Sequence, residues 1–176
     1  PSLDPTESKM LKGLQLLTAK PVLYVCNVEE ENAGTGNALS DKVAEMAAAE
    51  GSGTVVISAA IESEVAQLSD PAEKAEFLAD LGLEEAGLAK LIREGYALLD
   101  LITFFTVGPK EARAWTVRRG ATAPEAAGEI HTDFERGFIR AETIASEDFV
   151  NLGGESAVKE AGKMRVEGAT YLVKDG

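Results

Sequence analysis

Cysteine is nearly absent from this sequence. Cys26 is the only one among 176 residues, so no intrachain disulfide can form and a cross-linked secreted scaffold is excluded. No apolar run approaches the roughly 18–20 residues that a membrane helix needs. The opening Pro1-Ser2-Leu3-Asp4-Pro5 has neither the basic segment nor the apolar core of a secretion signal. Low-complexity and disorder-prone stretches are missing too. These absences together lead to the expectation of a soluble cytoplasmic protein with no membrane partner. Cations are scarce: 17 Lys/Arg stand against 30 Asp/Glu, a net charge of −13. A protein that wraps nucleic acid by bulk electrostatics is thereby disfavoured. The deficit is uneven. Residues 1–100 hold 7 Lys/Arg against 18 Asp/Glu, whereas residues 101–176 hold 10 against 12. That shift supports two units, the second better able to carry a local basic face.

What is present follows a regular grammar. Asp4-Pro5-Thr6-Glu7 is a capping-box helix start, and the helix is expected to run to about Leu17. Pro21 to Val28 is a continuous apolar run, the pattern of a strand buried on both faces, with Cys26 an inert buried thiol inside it. Ser40 is expected to cap a helix through Glu50 that Gly51 stops. Gly53 to Ala60 reads as a second buried strand, so the three elements form one βαβ crossover with parallel strands. Asp70-Pro71-Ala72-Glu73 opens a helix that Gly82 ends, and Leu88, Leu91, Ile92, Tyr96 and Leu99 fall on one face of another.

Beyond residue 100 the pattern changes. Leu101–Gly108 and Ala112–Val117 are β-rich runs joined by a hairpin. Thr122-Ala123-Pro124-Glu125 starts a single helix through Phe134, stopped by Gly137. Phe138–Ile144 reads as a strand, Phe149–Leu152 as extended, Glu155–Ala161 as a short helix and Thr170–Val173 as a last strand. Asp175-Gly176 looks like a turn whose next strand is missing. Two strands, a helix and further strands is β-grasp order, the ubiquitin-like layout. Trp115, Phe104 and Phe105 are expected in its core. His131, the only histidine, is expected on the helix as a structural or surface residue rather than a catalytic one.

Two blocks carry a family resemblance. Val25-Cys26-Asn27-Val28-Glu29-Glu30, followed by Ile57-Ser58-Ala59-Ala60-Ile61-Glu62, resembles the fourth and fifth motifs of the YchF branch of Obg-like NTPases. That branch carries Asn-x-x-Glu where most GTPases have Asn-Lys-x-Asp. Thr103–Thr106 through Trp115–Val117, then Ile130 to Glu142, is similar to the TGS domain of the same family. The resemblance implies an α/β chain: residues 1–20 as the end of a helical insertion, 21–100 as the C-terminal part of a doubly wound P-loop NTPase domain, and 101–176 as a β-grasp TGS domain. No Gly-x-x-x-x-Gly-Lys-Ser/Thr occurs. The resemblance therefore implies a longer parent in which the phosphate loop, magnesium-binding residues and switch regions lie upstream of Pro1.

In a doubly wound sheet, ligands bind beyond the carboxyl ends of the strands. Asn27 and Ser58 stand at two such ends, one βα unit apart, so both loops can reach one base. An Asn side chain offers a donor and an acceptor to a purine edge. Glu30 is one methylene longer than the aspartate that holds guanine in ordinary GTPases. The resemblance implies ATP in preference to GTP, read by Asn27 and the backbone of Val28, with loop amides at Ser58 and Ala59 completing the pocket. Mg²⁺ would accompany ATP in the parent, and no catalytic or metal-binding residue is expected in this segment, which alone should bind nucleotide very weakly, hold no cofactor and not hydrolyse nucleotide. Arg113, Arg118, Arg119, Arg136, Arg140, Lys159, Lys163 and Arg165 form the expected RNA-facing set, directed at the ribosome, rRNA or tRNA. Two other readings compete: a non-catalytic RNA- or protein-binding module on a degenerate scaffold, and a TGS module borrowed by a synthetase or alarmone enzyme.

Overall fold

A computed structural model describes residues 4–176, and the first three residues of the expected segment 1–20 lie outside the described ones. The architecture is α/β and divides into two compact units, the first ending at Leu99 and the second beginning at Asp100. Helix α1 (Pro5–Gly13) starts as the sequence reads. The Asp4 carboxylate accepts the Thr6 and Glu7 N–H groups at 2.7 and 2.8 Å, and the Glu7 carboxylate accepts the Asp4 N–H at 3.0 Å. It stops four residues short of Leu17, because Gly13 weakens it and Gln15 takes a left-handed φ of 49°. A single 3-10 turn, Leu17–Ala19, follows.

Strands β1 (Leu23–Asn27) and β2 (Gly53–Ile57) pair in parallel through the crossover helix α2 (Ala38–Glu50), with Cys26 opposite Val56 and Asn27 opposite Ile57. The α2 cap is Asn37 rather than Ser40. Asn37 Oδ1 accepts the Leu39 and Ser40 N–H groups, both at 3.0 Å, while Ser40 Oγ accepts the Asn37 N–H at 2.7 Å. Ser40 thus occupies the third helical position of a capping box. Gly51, at φ 72°, ends the helix as expected.

The second strand stops at Ile57, and Ala59–Gln67 forms a helix, α3, that the apolar run had concealed. Helices α4 (Pro71–Asp80, capped by Asp70) and α5 (Gly87–Leu98) complete the unit. Ile61, Val65 and Leu78 form its buried cluster, joined by Phe77 and Leu83. Alternating strand residues face opposite sides. The Tyr24 hydroxyl reaches Glu50 of α2, whereas Ile57 abuts Gly87 of α5, so the two helices cover opposite faces. Burial is nevertheless incomplete. Val55 is buried, but Val25 is 45 % exposed and Cys26 only half-buried. Among the described residues β1 has one strand neighbour, so the strand expected to be buried on both faces, and the thiol within it, are only partly buried.

In the second unit, β3 (Leu101–Val107) and β4 (Ala112–Arg118) form the expected hairpin, with Ile102 opposite Val117 and Phe104 opposite Trp115. Ile102, Val117, Ala121 and Ala126 make the core, with Phe104 and Val173 packed on it. Phe105 is on the other face of the strand and is 51 % exposed, so the period of two assigns only one of the paired phenylalanines to the core. The expected single helix is two: α6 (Ala123–Ile130) and α7 (Thr132–Arg136), broken where His131 is extended at φ −163°, ψ 140°.

Strand β5 (Ala141–Thr143) is shorter than expected, and Ser146–Leu152 is a helix, α8, rather than extended chain. Glu147 and Asp148 in its first turn and Gly153 at φ 85° after its end account for that. Helix α9 (Glu155–Glu160) precedes β6 (Arg165–Glu167), which pairs antiparallel with β5. The expected last strand reduces to one bridge, Thr122 to Leu172. Asp175 and Gly176 instead tie onto β3: Asp175 Oδ1 accepts the Thr103 N–H, and the Thr103 carbonyl accepts the Gly176 N–H, each at 2.8 Å. No helix among the described residues is long and apolar enough to cross a membrane.

Candidate functional site

The tips of β1 and β2 form one corner. Where β1 ends, the Val28 N–H donates to the Ile57 carbonyl at 2.9 Å, prolonging the parallel ladder by one residue. Asn27 then turns its side chain across to β2, and Asn27 Oδ1 accepts the Ala59 N–H at 2.9 Å. Ala59 is the first residue of α3, and Ser58 before it makes no side-chain cap. Asn27 therefore satisfies an orphan amide of a helix 32 residues away in sequence. The Asn27 and Ser58 loops thus lie side by side.

This geometry narrows what each residue can offer a ligand. With its oxygen engaged by Ala59, Asn27 presents its amide NH₂, two donors. The Val28 and Ala59 N–H groups are both engaged internally, so Ala59 has no free amide for a base and Val28 offers its carbonyl. Ser58 is 3 % exposed, and its Oγ has no hydrogen-bond partner among the described residues. Glu30 is exposed and opens a 3-10 helix, Glu30–Asn32, beside the exposed Glu29 and Glu31. A cleft of about 290 Å³ adjoins the corner, with Ser58, Glu62, Gly87 and Lys90 in its wall, but none of Asn27, Val28 and Glu30 lines it. Close to it, the Arg93 guanidinium forks onto the Glu85 carboxylate and lowers its pKa. Across the sheet, the hydrogen bond to Glu50 raises the Tyr24 pKa.

The eight cations of the expected RNA-facing set do not form one surface of free charge. Arg119 pairs with Asp100 at 3.2 Å, Lys163 with Asp148 at 3.5 Å and Arg165 with Glu167 at 3.8 Å. Arg113 stacks 4.1 Å above the Trp115 ring, whose Nε1–H donates to Thr106 Oγ1. Arg118, Arg136, Arg140 and Lys159 have no ion pair among the described residues. Arg140 borders an open groove of about 600 Å³ shared with Phe134, Phe138 and Ile139. His131 is at the surface: its Nδ1 accepts the Asp133 N–H at 3.2 Å and caps α7. No three His, Cys, Asp or Glu residues among the described ones are grouped to hold a metal ion.

Residues 101–176 match the family model YchF-GTPase_C, described as "Protein of unknown function (DUF933)". The chain is 57 % identical over 174 residues to the ribosome-binding ATPase YchF of Haemophilus influenzae, covering 99 % of itself and 47 % of that relative. It is 52 % identical over 172 residues to the protein of the same name from Bacillus subtilis, at 97 % and 47 % coverage. The solved structure of the Schizosaccharomyces pombe YchF GTPase superimposes with a TM-score of 0.82 at 34 % identity, over all of this chain and 47 % of that one. The chain spans about half the length of the relatives it matches. With the Asn27–Ala59 corner, the second unit that follows it and this similarity along nearly every residue, the chain belongs to the YchF family.

Proposed function

We propose that this chain supplies base recognition and a ribosome- or RNA-facing arm to a longer P-loop NTPase that hydrolyses ATP, and GTP less well. In this reading residues 21–100 are part of a doubly wound nucleotide domain and residues 101–176 a β-grasp TGS arm. The observation that carries it is the hydrogen bond between Asn27 and Ala59, which joins two strand tips into one corner and leaves the NH₂ of the exposed Asn27 as its remaining polar group for a ligand. A donor at that place suits a purine ring nitrogen. The Val28 carbonyl, left over once its N–H engages Ile57, suits the 6-amino group of adenine and opposes the 6-oxo group of guanine. Ribosome association is taken from what the bacterial relatives are named for. Mg²⁺ is expected with ATP in the longer protein; the described carboxylates offer no cluster that fits it.

Phosphoryl transfer depends on phosphate positioning and metal, which this stretch does not contribute. Purified residues 1–176 are therefore expected to show no ATP turnover above background, while a protein extended to the full length of its relatives turns over ATP faster than GTP. Equal turnover by residues 1–176 alone would refute the division of labour. An inactive full-length protein that still binds ribosomes would favour a purely binding role.

A further inference from the structure

One side chain joins the purine corner to the rest of the first unit. Glu62 is in the first turn of α3, its N–H donating to the Ser58 carbonyl at 3.0 Å. Its Oε1 accepts the Gly87 N–H at 2.6 Å and its Oε2 the Leu88 N–H at 3.1 Å. These are the first two residues of α5, whose own cap position, Ala86, provides no side-chain acceptor. A carboxylate there satisfies two orphan amides and complements the helix dipole. The approach is close enough to require glycine: a Cβ on Gly87 would lie 2.9 Å from both Glu62 Oε1 and Ile57 Cγ2.

Together these bonds close a ring. Asn27, from β1, caps α3; Glu62, from α3, caps α5; and α5 packs back on β1 and β2. Besides Glu62, only the Asn27 bond and the burial of Ile61 are seen to hold the first turn of α3 at the corner among the described residues. We propose that Glu62 is a positioning residue for base recognition. It fixes the roll of α3, so that Ala59 keeps the Asn27 oxygen turned inward and the Asn27 NH₂ presented to the purine. This rests on the reading of Asn27 as a base contact.

Two readouts test it. In residues 1–176, Glu62→Ala frees the Gly87 and Leu88 amides, as removal of any local cap would. If Glu62 positions the corner, the Ala59 amide also exchanges about tenfold faster or more, with the amides of α6 unchanged as the folding control. Glu62→Gln, which keeps one carbonyl acceptor and loses the charge, falls between. Unchanged Ala59 exchange in Glu62→Ala overturns the proposal. In the protein extended to the length of its relatives, Glu62→Ala raises KM for ATP about tenfold with kcat held within about twofold, and Glu62→Gln restores part of the loss. If Asn27→Ala raises KM while Glu62→Ala does not, the positioning role alone is wrong. If Asn27→Ala leaves KM unaltered, the base reading has failed, and the proposal falls with it.

Discussion

Asn27 combines two roles that substitution can separate. Its oxygen caps α3 and its NH₂ is the candidate base donor. Aspartate keeps the acceptor and removes the donor, whereas alanine removes both. Asn27→Asp is therefore expected to weaken nucleotide binding with little change in thermal stability. Asn27→Ala is expected to weaken binding and also to cost about 1 kcal/mol of stability, the usual worth of a cap. Calorimetric unfolding beside a binding isotherm checks the split; matching stability losses in both variants would contradict it. At this scale the sequence marks candidate residues and not how they are used. The spacing Asn27-x-x-Glu30 and the placement of Ser58 after a strand are legible from pattern. That the Val28 and Ala59 amides are engaged internally depends on the register Asn27 opposite Ile57, and no local pattern encodes a register between segments about thirty residues apart.

Elements that carry their own punctuation are legible, and those that borrow it are not. Helices α1, α4 and α6 begin with Asp-Pro or Thr-x-Pro and a carboxylate three residues beyond the cap, and all begin where that grammar places them. Helix α3 takes its cap from Asn27 on another strand, so its start reads as a continuation of β2. The break at His131 is likewise hidden, because His is not among the residues that usually cap a helix. The α6 cap is testable through pH. Glu125 Oε2 accepts the Thr122 N–H at 2.7 Å and its hydroxyl at 2.8 Å, and these donors lower the Glu125 pKa, the backbone bond first. A depressed carboxylate pKa contributes stability above its unfolded value and loses it as pH falls through the folded one. Glu125→Ala is thus expected to be less stable than the parent at neutral pH. The gap should close as pH drops below the ordinary carboxylate range, followed by denaturant midpoint against pH. A gap that stays constant with pH would mean the carboxylate is not the cap.

At the scale of the whole molecule, the shift in charge near residue 100 coincides with a real division of structure at Leu99 and Asp100, where Asp100 takes a left-handed φ of 53°. Charge counting alone overstates the free cations of the second unit, since ion pairs at Arg119, Lys163 and Arg165 are invisible until the chain folds. If that unit binds RNA, its unpaired cations contribute most. Replacing Arg118, Arg136 and Arg140 by alanine together is expected to weaken ribosome association and to flatten its dependence on log salt by about 2–3 units, nearly one for each phosphate no longer neutralised. Replacing Arg119, Lys163 and Arg165 changes it less. A reversed ranking in a salt titration of ribosome co-sedimentation would overturn that assignment.

If two strand tips serve one purine, the Asn27 side-chain NH₂ and the Ser58 backbone amide report on the same ligand, and both can be followed in ¹⁵N-resolved spectra of the protein extended to the length of its relatives while adenine nucleotide is added. Both signals are expected to move together along one saturable curve, and GTP to move them less at equal concentration. Nucleotide binding that leaves the Asn27 NH₂ in place, or that shifts Ser58 on a separate curve, would contradict a shared site.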